Sequence, residues 1–216
     1  MSAHARRLLI TAGPTHEPID SVRYIANRSS GRLGLALAEA AHDAGWDVTL
    51  LLGPVAAEPP AGVTTLRFES TADLAARLDA CFPDCDVLIM AAAVADYRPR
   101  PAAAPKLPRR GDPVRLELEP TPDLVAACVA RKRPGQRIIG FALEDAAALE
   151  SRAAEKLRRK GLDAIVANPL ETMGAEDIRA VLLTAGGERR VPADGRPLDK
   201  AAFARWLMAW LGSGHP

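Results

Sequence analysis

Residues 8–41 read LLITAGPTHEPIDSVRYIANRSSGRLGLALAEAA, and the fold follows from this stretch. It opens on an apolar run, Leu8 to Thr11, with the pattern of a buried strand. It closes on Leu33, Leu35, Leu37, Ala38 and Ala41, which suit a helix with one apolar face. A polar loop with two glycine sites joins them. Gly13-Pro14-Thr15 turns the chain at the strand's end, and Ser29-Ser30-Gly31-Arg32-Leu33-Gly34 opens the helix. Small residues at a helix start leave backbone N–H groups free, where the helix dipole favours an anion. The unit predicts a phosphate site in an α/β protein. The dinucleotide fingerprint places G-x-G-x-x-G directly after the strand. Here the pair Gly31 and Gly34 comes late, after a loop carrying Asp20, Arg23 and Asn27. The plainer reading is a surface loop with Ser29 or Ser30 capping the helix.

Outward from this unit, strands and helices alternate. Trp46 to Leu52 reads as a strand ended by Gly53-Pro54. Thr71 to Phe82 reads as a helix with Ser70 as N-cap. Asp86 to Ala92 is a strongly apolar strand, Asp123 to Lys132 a short helix, and Arg137 to Ala142 a strand. Ala146 to Arg159 is a long helix and Leu162 to Ala167 another strand. This alternation predicts an α/β fold with a doubly wound, mainly parallel sheet of the Rossmann-like kind. Ligands then bind beyond the C-terminal strand ends. Residues 98–122, rich in proline and basic residues, interrupt the pattern. Only Val114 to Glu119 looks like a strand there, and the segment reads as an inserted flap or hairpin. At the end, Ala180 to Thr184, Gly186-Gly187 and Arg189 to Val191 predict a hairpin. A final helix from Asp199 carries Phe203, Trp206, Leu207, Trp210 and Leu211, read as core.

A chain of 216 residues with a net charge of +1 fits one domain over residues 1–216. The charge balance gives no reason to expect nucleic acid or an anionic membrane as partner. No stretch is long and apolar enough to span a bilayer or serve as a signal peptide. The three cysteines, Cys81, Cys85 and Cys128, lack framework spacing. Reduced thiols and a cytoplasmic location are expected, with no metal site on the protein.

Taken in order, the loop GPTHEPIDSVRYIANRSSGRLG, the strand end AAAVADYRP, Lys106, the TPDL turn, GFA at 140–142 and EKLRRKGLDAIVAN at 155–168 carry a resemblance. From Leu8 to about Leu183 the chain resembles the phosphopantothenoylcysteine synthetase family of coenzyme A biosynthesis. In most bacteria that synthetase is fused behind a flavin-dependent decarboxylase. No part of this sequence corresponds to that half, so a stand-alone synthetase or an excised domain is expected.

The resemblance implies a ligase that joins cysteine to 4'-phosphopantothenate. The substrate carboxylate attacks the α-phosphate of CTP, giving an acyl-cytidylate and pyrophosphate, and the cysteine amine then displaces CMP. Mg²⁺ accompanies the triphosphate, and ATP replaces CTP in animals. Such chemistry needs phosphate cradles and donors for the acyl oxygen, with no Ser-His-Asp triad. The resemblance implies that Gly13, Ser29, Gly31 and Gly34 meet the nucleotide phosphates. It implies that Phe141 and Asn168 hold the nucleoside and that Lys156 and Lys160 face nucleotide groups. Asn27 would contact the substrate carboxylate and acyl intermediate, and Ala92, Ala93 and Asp96 would line that site. Lys106 would swing over the phosphates from the flap, with Asn27 and Lys106 as the catalytic pair. Arg23 would reach the substrate of a neighbouring subunit, which implies a homodimer with shared sites.

Plainer alternatives stand beside these roles. Lys156 and Lys160 sit in a charged helical run that usually marks a solvated face. Arg109 or Arg110 could replace Lys106 as the phosphate contact. Asp96 could pair with Arg98, and Asn168-Pro169 could be a simple turn. The chain also departs from the family. Glu119-Pro120-Thr121-Pro122-Asp123 lacks the family's lysine, Ala142-Leu143-Glu144-Asp145 replaces AAET, and Pro169 stands where aspartate is common. Two other functions compete: a non-catalytic nucleotide-binding relative, and a flavin- or nicotinamide-dependent oxidoreductase. Against the latter, Leu50-Leu51-Leu52-Gly53 closes the second strand without the acidic residue of a dinucleotide site.

Overall fold

A computed structural model describes residues 5–100, 105–108, 111 and 113–213. Its centre is an eight-stranded sheet among the described residues. The strands are β1 (Arg7–Ala12), β2 (Asp47–Leu52), β3 (Thr64–Arg67), β4 (Val87–Met90), β5 (Arg137–Glu144), β6 (Ala164–Pro169), β7 (Val181–Thr184) and β8 (Arg189–Arg190). Their spatial order is β8-β7-β6-β5-β4-β1-β2-β3. β1 to β6 run parallel, and β7 and β8 add antiparallel to the β6 edge. The doubly wound expectation is met, with the switch point between β1 and β4.

Both faces of the central strands are buried, which explains their continuous apolar sequences. On one face Leu8 and Ile10 pack against α1 (Arg32–Asp43) and the final helix (Lys200–Gly212) through Leu37, Ala41, Phe203 and Leu207. The aromatic stripe of that final helix is therefore core, with Trp210 buried and Trp206 packed at its margin. On the other face Leu9 and Leu88 meet Leu74 and Leu78 of α2 (Thr71–Cys81) and Leu124 and Cys128 of α3 (Leu124–Ala130). Ala153 and Leu157 of α4 (Leu149–Lys160) complete that face. The final helix, α5, starts behind the N-cap Asp199. The N-cap of α2 is Ser70, in a reciprocal capping box with Asp73.

Several local expectations are corrected. α1 has no serine cap: Gly31 is its N-cap at φ 70°, and no side chain caps it. Ser29 Oγ instead accepts the Gly31 N–H at 3.4 Å. Residues 146–148 form a 3₁₀ turn ahead of α4. The predicted strand 114–119 shrinks to Leu118–Pro120, paired antiparallel with Tyr97–Pro99. Val114 and Leu116 are exposed, so their alternation has no sheet to pack on. The polar loop of residues 14–30 holds its own ladder, His16–Pro18 with Tyr24–Ala26.

Candidate active site

The loops leaving β1 and β4 run on side by side past the switch point. Ala91 N–H reaches the Thr11 carbonyl (3.2 Å), Ala93 N–H the Gly13 carbonyl (2.9 Å), and Thr15 N–H the Ala93 carbonyl (3.2 Å). The buried hydroxyls join in, Thr11 Oγ1 accepting from Ala92 N–H at 3.1 Å and Thr15 Oγ1 from Ala95 N–H at 3.0 Å. These loops floor a cleft of about 690 Å³. Asn27, Ser29, Gly31 and Gly34 line one wall, Ala92, Ala93 and Asp96 the floor, and Phe141, Lys156 and Asn168 the other wall. Most of the expected residues therefore meet in one place, although they span more than half the sequence.

Two glycines shape the wall of the cleft at the start of α1. Gly31 has φ 70°, and a β-carbon there would stand 2.9 Å from Val55 Cγ1. Gly34 seats α1 directly on β1. Gly13 lies beneath them, its φ of 82° turning the chain out of the strand. The free first-turn N–H groups of α1 thus open into the cleft without side-chain competition.

The cations are placed by backbone carbonyls and by one carboxylate. Lys156 Nζ donates to the Phe141 carbonyl at 2.9 Å. Burial, aided by the nearby Lys160 charge, pushes its pKa below the ordinary lysine value. This is no solvated helical face. Lys160 Nζ pairs with Asp123 at 3.0 Å and lines a smaller adjoining cavity of about 230 Å³, which shares Ala92, Asp96, Phe141 and Lys156 with the main cleft. Asn27 Nδ2 donates to the Val94 carbonyl at 3.0 Å, which leaves its Oδ1 and second N–H for other partners. Asn168 Nδ2 donates to Thr172 Oγ1 at 2.8 Å. Asp96 does not pair with Arg98, which instead contacts Glu119 at 2.8 Å.

Four expected residues stand apart from the main cleft lining: Gly13 beneath it, Lys160 in the adjoining cavity, and Lys106 and Arg23. Lys106 is exposed on the described part of the flap, and Arg23 donates to Asp20 and to the Leu107 carbonyl. Arg109 and Arg110 lie outside the described residues. Sequence reading missed Arg32, Thr172 and Lys200 as cleft residues. Lys200 has its pKa lowered, first by burial and then by the Arg32 charge, and its position at the start of α5 carries no pattern that would reveal it. A separate depression of about 620 Å³ along α2, lined by Arg67, Phe68, Asp73 and Arg77, contains none of the expected residues.

The family model described as DNA/pantothenate metabolism flavoprotein C-terminal domain matches residues 3–213. The chain belongs to this family. Among curated relatives, the coenzyme A biosynthesis bifunctional protein CoaBC of Vibrio vulnificus (strain CMCP6) is 35% identical over 213 residues, which are 96% of this chain and 53% of the relative. A cysteine/cysteine sulfinic acid decarboxylase from an unknown prokaryotic organism is 43% identical over 173 residues, 80% of this chain and 48% of the relative. The chain spans about half the length of these curated relatives. Among solved structures, the C-terminal domain of a CoaBC protein is 36% identical with a TM-score of 0.81, covering 96% of this chain and 94% of that one. The family resemblance read from the ordered motifs thus holds along the described chain. Among the described residues, no helix is long and apolar enough to cross a membrane.

Proposed function

We propose that this chain is a phosphopantothenate–cysteine ligase using CTP. The observation that carries the reading is the convergence of the open α1 N-terminus, the Asn27 amide and the half-buried Lys156 on one cleft, in a member of this family. In the first step a carboxylate oxygen of 4'-phosphopantothenate bonds to the α-phosphorus of CTP. The α–β phosphoanhydride bond breaks and pyrophosphate leaves with the electron pair. In the second step the cysteine amine bonds to the acyl carbon, CMP leaves, and the amine proton passes to water.

Gly13, Ser29, Gly31 and Gly34 present the phosphate cradle. Phe141 and Asn168 flank the nucleoside, and Lys156 and Lys160 balance phosphate charge. Asn27 donates to the acyl oxygen, and Ala92, Ala93 and Asp96 shape the phosphopantothenate side. Lys106 approaches the triphosphate from the flap. Mg²⁺ commonly binds through substrate phosphates with one or two carboxylates. The described residues contain no cluster of three or more His, Cys, Asp or Glu side chains suited to a metal. Asp96 is the acidic residue lining the cleft, a donor set that fits an ion carried by the triphosphate.

A homodimer completes the proposal. Val22, Tyr24, Tyr97 and Leu118 expose apolar surface on the two small ladders around Arg23, where a second copy would cover them and bring Arg23 to its neighbour's substrate. The free cysteines suit a cytoplasmic location.

The deciding experiment is pyrophosphate release with 4'-phosphopantothenate and each nucleoside triphosphate, followed by amide formation when cysteine is added. The expected result is release with CTP exceeding that with ATP. Release with neither nucleotide would sink the reading and favour a non-catalytic nucleotide-binding relative.

A further inference from the structure

Asp20 is a carboxylate with no solvent-exposed side-chain surface, set in a polar turn. Its Oδ1 accepts the Val22 and Arg23 backbone N–H groups, both at 2.9 Å. That is a common use of aspartate in a turn. Its Oδ2 has long-range work. It accepts the Leu107 N–H at 3.0 Å, across 87 positions of sequence. It also accepts Arg23 Nε at 3.0 Å, with Arg23 Nη2 against the same oxygen. Arg23 Nη2 in turn donates to the Leu107 carbonyl at 3.1 Å. Both backbone polar groups of Leu107 are therefore held, the N–H by a carboxylate and the C=O by a guanidinium. The arrangement imitates one rung of a β-ladder, made from two side chains.

Leu107 directly follows Lys106, whose Cα lies about 3.8 Å along the chain across a trans peptide. We infer that Asp20 is a positioning residue for Lys106, acting through the backbone of Leu107. The inference rests on the ligase reading, in which Lys106 meets the triphosphate. Lys106 is exposed, so packing does little to fix where its backbone stands. The Leu107 clamp supplies that restraint, and it ties the flap to the same loop that carries Asn27. The two proposed catalytic groups thereby share one frame.

The test separates this role from simple turn formation. Asp20→Asn keeps one acceptor oxygen for the Val22 and Arg23 N–H groups but turns an N–H₂ group toward Leu107 and Arg23, both donors. Leu107→Pro is the second arm. It removes the N–H from the flap side and leaves every Asp20 turn contact in place. In both variants the expected result is loss of most kcat, about 100-fold for a misplaced group, with KM for CTP nearly unchanged. Hydrogen exchange at the Leu107 amide, followed in Asp20→Asn, should accelerate about tenfold or more, the signature of local opening.

In a Lys106→Gln background, Asp20→Asn should cause no further loss, because both changes then act through one group. Multiplicative losses, or Leu107 exchange unchanged in Asp20→Asn, overturn the positioning role. Active wild-type protein matched in kcat by both variants overturns it as well and leaves the ligase reading standing. Wild-type protein that releases no pyrophosphate overturns the ligase reading and the positioning role together.

Discussion

Gly34 lies so close to Ala12 that a β-carbon built on it would stand 2.3 Å from the Ala12 β-carbon and 3.1 Å from its Cα. Neither contact has a flexible side-chain end that could give way, so α1 itself must move if residue 34 gains a methyl group. Gly34→Ala is expected to lose roughly 1–3 kcal/mol of stability from overpacking, or about 2–12 °C in Tm for a chain of this size. The shift also lifts the start of α1 where it lines the cleft. Thermal melts and nucleotide titration check both parts, and an unchanged Tm with unchanged binding counts against the close seat.

Asn27→Asp is expected to impair the second half-reaction more than the first. The neutral amide can donate to an acyl oxygen, whereas a carboxylate repels it and cannot donate. Quenched-flow trapping should show acyl-nucleotide accumulating in the variant. Equal loss of pyrophosphate release and amide formation, with nothing trapped, speaks against the role.

Lys106→Gln is expected to lose about 2–4 kcal/mol of transition-state stabilisation, roughly 30- to 1,000-fold in rate, with Tm unchanged. Arg109→Gln and Arg110→Gln are the internal controls and should cost far less. Similar small losses for all three would reduce Lys106 to one member of a basic run.

Nucleotide binding is expected to be linked to protons through Lys156. Burial holds the free ammonium below its ordinary pKa. An adjacent triphosphate favours the charged form and raises it again. The complex therefore takes up protons at pH values between the free and bound pKa. Affinity falls as pH rises through the free-state value. Calorimetry in buffers of different ionisation enthalpy reads the uptake, and Lys156→Met should abolish it. Proton uptake that persists undiminished in that variant assigns the linkage to another group.

The central strands are legible because they are buried on both faces and so carry unbroken apolar runs. Thr64–Arg67 was missed for the opposite reason. It is a half-exposed edge strand, TTLR, with no apolar run to mark it. The strand over 114–119 was overread, because alternation measures a face and says nothing about whether a neighbour exists to pair with it. At the helix start, two serines outweighed the glycine whose positive φ actually turns the chain. In the site, Lys156 looks like any solvated lysine until α4 is laid beside the Phe141 carbonyl. Its place in the cleft is legible only through the family's motif order. Asp20 had no local signal beyond a turn, because the partner that makes it unusual stands 87 positions away.

The seam between the Thr11–Thr15 and Ala91–Ala95 segments has a mechanical consequence. In an open sheet the loops part at the switch point and leave a crevice there, between the two halves of the fold. Here the backbone bonds between those loops, with the Thr11 and Thr15 hydroxyls, weld the halves together beyond the strand ends. The sheet is left as a stiff anvil. Motion that opens the cleft then has to come from the rim, so, under the proposed ligase reaction, turnover should respond to viscosity and to changes in the flap rather than to the softness of the core.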